Sequence, residues 1–193
     1  MRAVLRLVPE QWLDERARLG LDVFDEMWEG ILHMAPAPGL DHQRLGSKIV
    51  GFLDQLLDPR GIQVSYETEV HRPGAGGKDY RIPDVVFFRE NQAGLALTGR
   101  GLEGAPLALV EILSPDDETY EKFAFYAAIG VPEIIVVNPI ARTPEVYRLA
   151  GASYLAVSAD DRGRVHAASI DVRFSCAPGP RLRLECAGAT REI

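Results

Sequence analysis

Two short apolar runs constrain this chain more than anything else in it, because each holds an acid where a core strand would carry none. The first reads Ile82-Pro83-Asp84-Val85-Val86-Phe87-Phe88 and the second Leu107-Ala108-Leu109-Val110-Glu111-Ile112-Leu113. A carboxylate among aliphatic side chains loses its hydration, a cost offset only by ion pairing, hydrogen bonds or a bound cation. The second run is apolar at almost every position, the pattern of a central strand covered on both faces. Consecutive strands are usually neighbours, so Asp84 and Glu111 are expected side by side. Two carboxylates so placed suit a hard cation such as magnesium, which takes oxygen ligands. The ordinary alternatives are a turn-capping role for Asp84 after Pro83, and for Glu111 an ion pair with an arginine such as Arg81.

The surrounding chain reads as alternating strands and helices. A peripheral helix is expected from about Pro9. Apolar runs flank Glu29-Gly30 and predict a hairpin over residues 22–34, with glycine supplying a positive φ. Asp41 suits the N-cap of a helix whose buried stripe is Leu45, Ile49, Phe52, Leu53 and Leu56; His42 lies on that stripe's face. Residues 62–70 alternate as one half-exposed strand, with Glu67 and Glu69 facing out. The glycine-rich segment 73–77 lacks the lysine and following helix of a phosphate cradle, and residues 89–106 read as an exposed loop. Ser114, Pro115, Asp116 and Asp117 predict a helix start, and Gly130 its end. Residues 134–137 form a buried strand, residues 145–149 and 153–157 a hairpin around Gly151, and residues 172–175 one strand more. The order predicts an α/β (α+β mixed sheet) architecture in a single domain of residues 1–193. Its core spans about 22–149, with residues 1–21 peripheral and C-terminal strands in 150–193.

Composition narrows the partners. The formal net charge is -7 over 193 residues, which opposes a broad phosphate-binding surface but leaves room for a local one. No run is long enough to span a membrane, and the charged N-terminus does not read as a secretory signal, so the expected location is cytoplasmic with no membrane partner. Cys176 and Cys186 read as free thiols, and no zinc-ligand spacing surrounds them. Arg81, Lys78, Arg44 and Lys48 are candidate contacts to a nucleic-acid backbone.

Taken together, several motifs resemble those of a known nuclease group. They are Glu29-Gly30, Pro36 with His42, Ile82-Pro83-Asp84-Val85-Val86, Val110-Glu111-Ile112-Leu113-Ser114-Pro115, Lys122 followed by Tyr126, Gly130-Val131-Pro132-Glu133, and Asn138-Pro139 leading to Val146-Tyr147. Their order over residues 22–149 is similar to that of the Uma-type restriction endonuclease family of the PD-(D/E)XK nuclease superfamily. The simplest form of that signature has lysine two residues after the second acid, where this chain has Leu113. The Uma-type branch carries the lysine on the following helix, which corresponds to Lys122. Between Ser114 and Lys122 the chain is shorter than the branch pattern and acidic, with Asp116, Asp117, Glu118 and Glu121.

The resemblance implies a restriction-endonuclease-like fold and a divalent-metal-dependent endonuclease acting on nucleic acid, DNA in particular. The alternative is a catalytically weak or inactive binding or assembly module of the same fold, favoured by the acidic net charge, by Leu113 where the signature has lysine and by the shortened segment before Lys122. The resemblance implies Asp84, Glu111 and the backbone carbonyl of Ile112 as ligands of Mg2+ (or Mn2+), and Asp84, Glu111 and Lys122 as the catalytic set. Glu29, His42 and Arg81 are expected to support these groups from behind. By analogy, the N-terminal elements and C-terminal strands suggest a homodimer or higher homo-oligomer.

Overall fold

The computed structural model describes residues 3–114 and 118–193. Its centre is a six-stranded mixed sheet in the order Ser153–Ala156, Pro144–Ala150, Glu133–Val137, Ala108–Ile112, Val85–Phe88, Gln63–Tyr66. Ala108–Ile112 runs parallel to Glu133–Val137, and the other pairings are antiparallel. Both parallel strands are buried at every residue, as expected of strands covered on both faces.

The period of two along the strands divides the core. On one side Leu45, Ile49, Leu53 and Leu57 of helix α2 (Leu40–Leu57) pack on Val85, Phe87, Ala108, Val110 and Ile112. On the other, Phe125 and Tyr126 of helix α3 (Phe123–Ile129) pack on Val86, Leu109, Ile134 and Val136. Alternation therefore puts Glu111 on the α3 side with Leu109. Helix α1 (Glu10–Arg18) follows Pro9 and buries none of its residues, in keeping with a peripheral helix.

A second sheet contains the hairpin. Its seven strands lie in the order Ala3–Leu5, Ile31–Met34, Asp25–Trp28, Tyr80–Arg81, Glu69–His71, Gly101–Glu103, Ala96–Leu97. The turn residues Glu29 and Gly30 both have positive φ, 51° and 85°, the geometry that matches the twist of a two-residue hairpin. A third, antiparallel sheet joins Val165–Ala167, Val172–Ala177, Arg181–Cys186 and Ala189–Glu192. Its Val172, Phe174, Leu182 and Leu184 enter the α2 side of the core. Cys176 is exposed, Cys186 is buried, and both are free.

Five local expectations differ from what is found, the first being the C-terminal segment, expected to add one strand at 172–175 and found as the four strands of the third sheet. The run 62–70 is two strands in two sheets, because Glu67 adopts φ 46° and breaks the ladder; its amide donates to the Asp84 carbonyl at 2.9 Å. Residues 89–106 include two short strands of the second sheet, and Leu102 there is 2% exposed. The N-cap of α2 is Gly39, leaving Asp41 in the first turn. Helix α3 starts after Lys122, not near Ser114; Pro115, Asp116 and Asp117 lie outside the described residues. Gly130 does end α3, in the left-handed region at φ 87°.

Close packing at the α2 surface leaves no room for a side chain at Gly46 without a shift of Tyr66. A Cβ on Gly46 would lie 2.4 Å from Cε2 of Tyr66, whose hydroxyl donates to Gln43 Oε1 at 2.8 Å. Gly46→Ala is expected to destabilise the protein by about 1–3 kcal/mol through this overpacking, read as a lowered midpoint in urea denaturation.

Candidate active site

The two acids stand level on neighbouring strands where the pairing runs out. Val85 pairs with Val110, so Asp84, one residue before its strand, is level with the Glu111–Ile112 end of the neighbour. Asp84 Oδ2 accepts from the Ile112 amide at 2.5 Å. Asp84 Oδ1 lies 3.3 Å from His42 Nε2, which is also 3.0 Å from the Ile112 carbonyl oxygen. One carboxylate oxygen and one backbone carbonyl thus converge on a single point at the start of α2. Burial depresses the His42 pKa, but the hydrogen bond and charge of Asp84, with the Ile112 carbonyl, raise it above its ordinary value overall.

Glu111 is enclosed on the α3 side, 3% exposed. Oε1 accepts from the Tyr126 hydroxyl at 2.6 Å, and Oε2 lies 3.3 Å from Lys122 Nζ. Lys122 and Tyr126 share a helix face because they are four residues apart, and the Tyr126 amide donates to the Lys122 carbonyl at 3.1 Å. Position 113 could not supply the amine as the protein stands, since Leu113 packs into the apolar cluster around Phe125 and Tyr126.

A third carboxylate completes this group. Glu26, in Asp25–Trp28 of the hairpin sheet, has Oε1 2.8 Å from Lys122 Nζ, closer than Glu111. Glu26 also accepts from the Ile82 amide at 2.9 Å and from the Trp28 indole at 2.8 Å. Burial pushes its pKa up, but the Lys122 charge and hydrogen bond, with the Ile82 and Trp28 donors, hold it below the ordinary value overall. One ammonium neutralises only one of two buried acids, and Glu111 is the less supported. Burial is the main cause that raises its pKa to about 8, with Asp84 and Glu26 adding to it against Lys122. Burial lowers the Lys122 pKa, but the two carboxylates outweigh it and raise it overall.

The supporting residues expected from sequence divide three ways. His42 touches Asp84 as described. Glu29 is exposed at the hairpin turn, and Glu26, three residues earlier, stands in the position expected of it. Arg81 pairs with Asp79 at 3.0 Å rather than with Glu111, and its guanidinium lies 4.2 Å from both the Trp28 and Phe125 ring centres. It is a buried brace that donates to the Met27 and Tyr80 carbonyls, with no exposed face to offer a nucleic acid, whereas Arg44, Lys48 and Lys78 are exposed. Glu67 is half-buried and accepts from Gln43 Nε2 at 2.7 Å, close enough for its charge to act on His42. Glu26 and Glu67 escaped the reading by motif. The signal for Glu26 was present, an acid inside a short strand, the same anomaly that singled out Glu111.

The donor chemistry at this junction fits a hard cation. Asp84, Glu111 and the Ile112 carbonyl offer oxygen only, and each ionised carboxylate keeps lone pairs beyond the hydrogen bonds it accepts. Among the described residues, no group of three or more His, Cys, Asp and Glu side chains is arranged to hold a metal ion, so such a site needs the backbone carbonyl and water. No described helix is long and apolar enough to cross a membrane.

The chain has relatives in both sequence and structure. The family model Uma2, described as "Putative restriction endonuclease", matches residues 15–177. A crystal structure of a "putative nuclease belonging to DUF820" from Anabaena variabilis ATCC 29413 superposes with a TM-score of 0.55 at 21% identity, over 69% of this chain and 75% of that one. At that identity the likeness is one of fold. No curated protein matches the chain. A model match over most of the length, together with the shared fold, makes this chain a member of the Uma2 family.

Proposed function

We propose that the protein is a divalent-metal-dependent endonuclease that hydrolyses phosphodiester bonds in DNA. The observation that carries this reading is the buried Glu111–Lys122 contact of 3.3 Å beside Asp84, a carboxylate pair and an amine at one sheet end. Asp84, Glu111 and the Ile112 carbonyl would hold Mg2+ or Mn2+. When bound, such an ion polarises the phosphate and acidifies water. Lys122 neutralises charge developing on the phosphate and orients the attacking water. Tyr126 fixes the Glu111 rotamer, and His42 fixes Asp84. The Uma2 family is described as "Putative restriction endonuclease", which supports DNA as the substrate.

The experiment is plasmid and oligonucleotide cleavage in Mg2+ or Mn2+, with chelator, Asp84→Asn and Glu111→Gln as controls. Each substitution is expected to lower the rate at least about a hundredfold, the scale of losing one preorganised electrostatic group. Cleavage that persists in chelator or in both variants overturns the assignment. A second reading, a binding or assembly module without turnover, is favoured by one observation: Lys122 sits closer to Glu26 than to Glu111. Oligonucleotide binding without cleavage in either metal selects it.

A further inference from the structure

Lys122 reaches the acids from a turn, not from the strand that carries Glu111, and this leaves its position to be set by something else. A lysine on the strand would inherit its place from the ladder. Lys122 instead stands at the N-cap of α3, at the end of a turn in which its amide donates to the Glu118 carbonyl at 3.3 Å. Four rotatable bonds separate its ammonium from that backbone, and fixing them costs conformational entropy. An anchor must supply the difference.

Resting on the nuclease reading, we propose that Glu26 is the positioning residue for Lys122: it holds the ammonium over Glu111 with one N–H committed to each acid and the third directed to the substrate phosphate or its attacking water. Three features of the fold equip Glu26 for this. Its carboxylate is immobilised by the Ile82 amide and the Trp28 indole as well as by Lys122. Trp28 is in turn clamped, stacked on His33 at 4.1 Å and on the Arg81 guanidinium at 4.2 Å. The Ile82 amide belongs to the segment that leads directly into Asp84, so one acid ties the hairpin sheet, the metal-ligand strand and the lysine together. An ammonium has three donors and no acceptor, so two fixed carboxylates leave one donor with a defined direction. Glu26 acts through Lys122 and touches no reacting atom.

The test reads the ammonium itself, independently of turnover. In the wild-type protein the Lys122 NζH3 group is expected to give a slowly exchanging 15N–1H resonance, assigned by its disappearance in Lys122→Met. Glu26→Gln is expected to speed its hydrogen exchange roughly ten- to a hundredfold, the scale of one charge-assisted hydrogen bond; Glu26→Asp should restore it in part. Far-ultraviolet circular dichroism and the backbone amide spectrum verify that each variant is folded. An unchanged Lys122 resonance in folded Glu26→Gln overturns the proposal. Single-turnover cleavage is the second arm. If Glu26 works through the lysine, Glu26→Gln slows cleavage of the wild-type protein but adds nothing to Lys122→Met, and additive losses overturn it. If the wild-type protein cleaves nothing in either metal, the nuclease reading fails while the exchange measurement still decides the role of Glu26.

Discussion

Glu111→Gln is expected to make the metal-free protein more stable than wild type at pH 8 and little different from it near pH 5. The sign follows from where the proton resides. The Glu111 pKa rises from an ordinary 4.5 to about 8 in the folded chain, chiefly because burial disfavours the charge. Between those values the folded protein keeps a proton that the unfolded chain has released, so raising the pH favours unfolding. The contribution of Glu111 is therefore intact below about pH 4.5 and is lost progressively up to about pH 8, at no more than about 1.4 kcal/mol per pH unit. Glutamine cannot ionise and lacks this slope. His42, whose pKa is also raised, loses stability in the same direction above its ordinary value, and comparing wild type with Glu111→Gln in the same buffers cancels its share. Thermal melts in chelator from pH 5 to pH 9 measure the difference. Parallel curves for the two proteins would show that Glu111 is ionised throughout, held so by Lys122. In the proposed function Glu111 would have to release the same proton to serve as a ligand, so Mn2+ affinity should rise with pH up to about 8 in wild type and be absent in Glu111→Gln.

Lys122→Met should be the most damaging single substitution in the molecule. It leaves Glu26 and Glu111 buried together with no cation between them, and removing one partner of a buried ionic group typically costs about 3–5 kcal/mol. The loss should be largest near neutral pH and shrink in acid, where both carboxyls can protonate. Adding Glu26→Gln to Lys122→Met removes the stranded charge and should recover much of the lost stability, with none of the lost cleavage. Urea denaturation of the two single variants and the double variant forms the cycle. A double variant no more stable than Lys122→Met would mean that Glu26 is not ionised in the folded protein. The recovery of fold without recovery of function separates the structural share of Lys122 from its chemical share.

Much of the frame was legible in the residues because it rests on local rules. The apolar run 107–113 specified a central strand, and it is one; Glu29-Gly30 specified a tight hairpin, and Gly130 the end of α3. The helix stripe from Leu45 to Leu53 named the face that packs on the sheet. Where the local rules failed, a tertiary requirement had overridden them. Residues 62–70 alternate without a flaw, yet the chain must leave one sheet for another at Glu67, and nothing in a period of two encodes that break. The C-terminal meander was read as one strand although Arg181–Cys186 alternates polar and apolar residues without a break, and its Leu182 and Leu184, with Phe174, join the α2 side of the core.

The sequence by itself determined that Asp84 and Glu111 lie at the ends of adjacent core strands and that Lys122 and Tyr126 share a helix face, since strand order and helical spacing are properties of neighbouring residues. The company kept by Glu111 was decided by the tertiary structure. Arg81, near in sequence to Asp84, is held between two aromatic rings and does not reach Glu111; Glu26, 85 positions before it, reaches the lysine instead. A buried charge takes its partners from whichever elements packing brings within about 3 Å, and that proximity is set by how the hairpin sheet meets the central one.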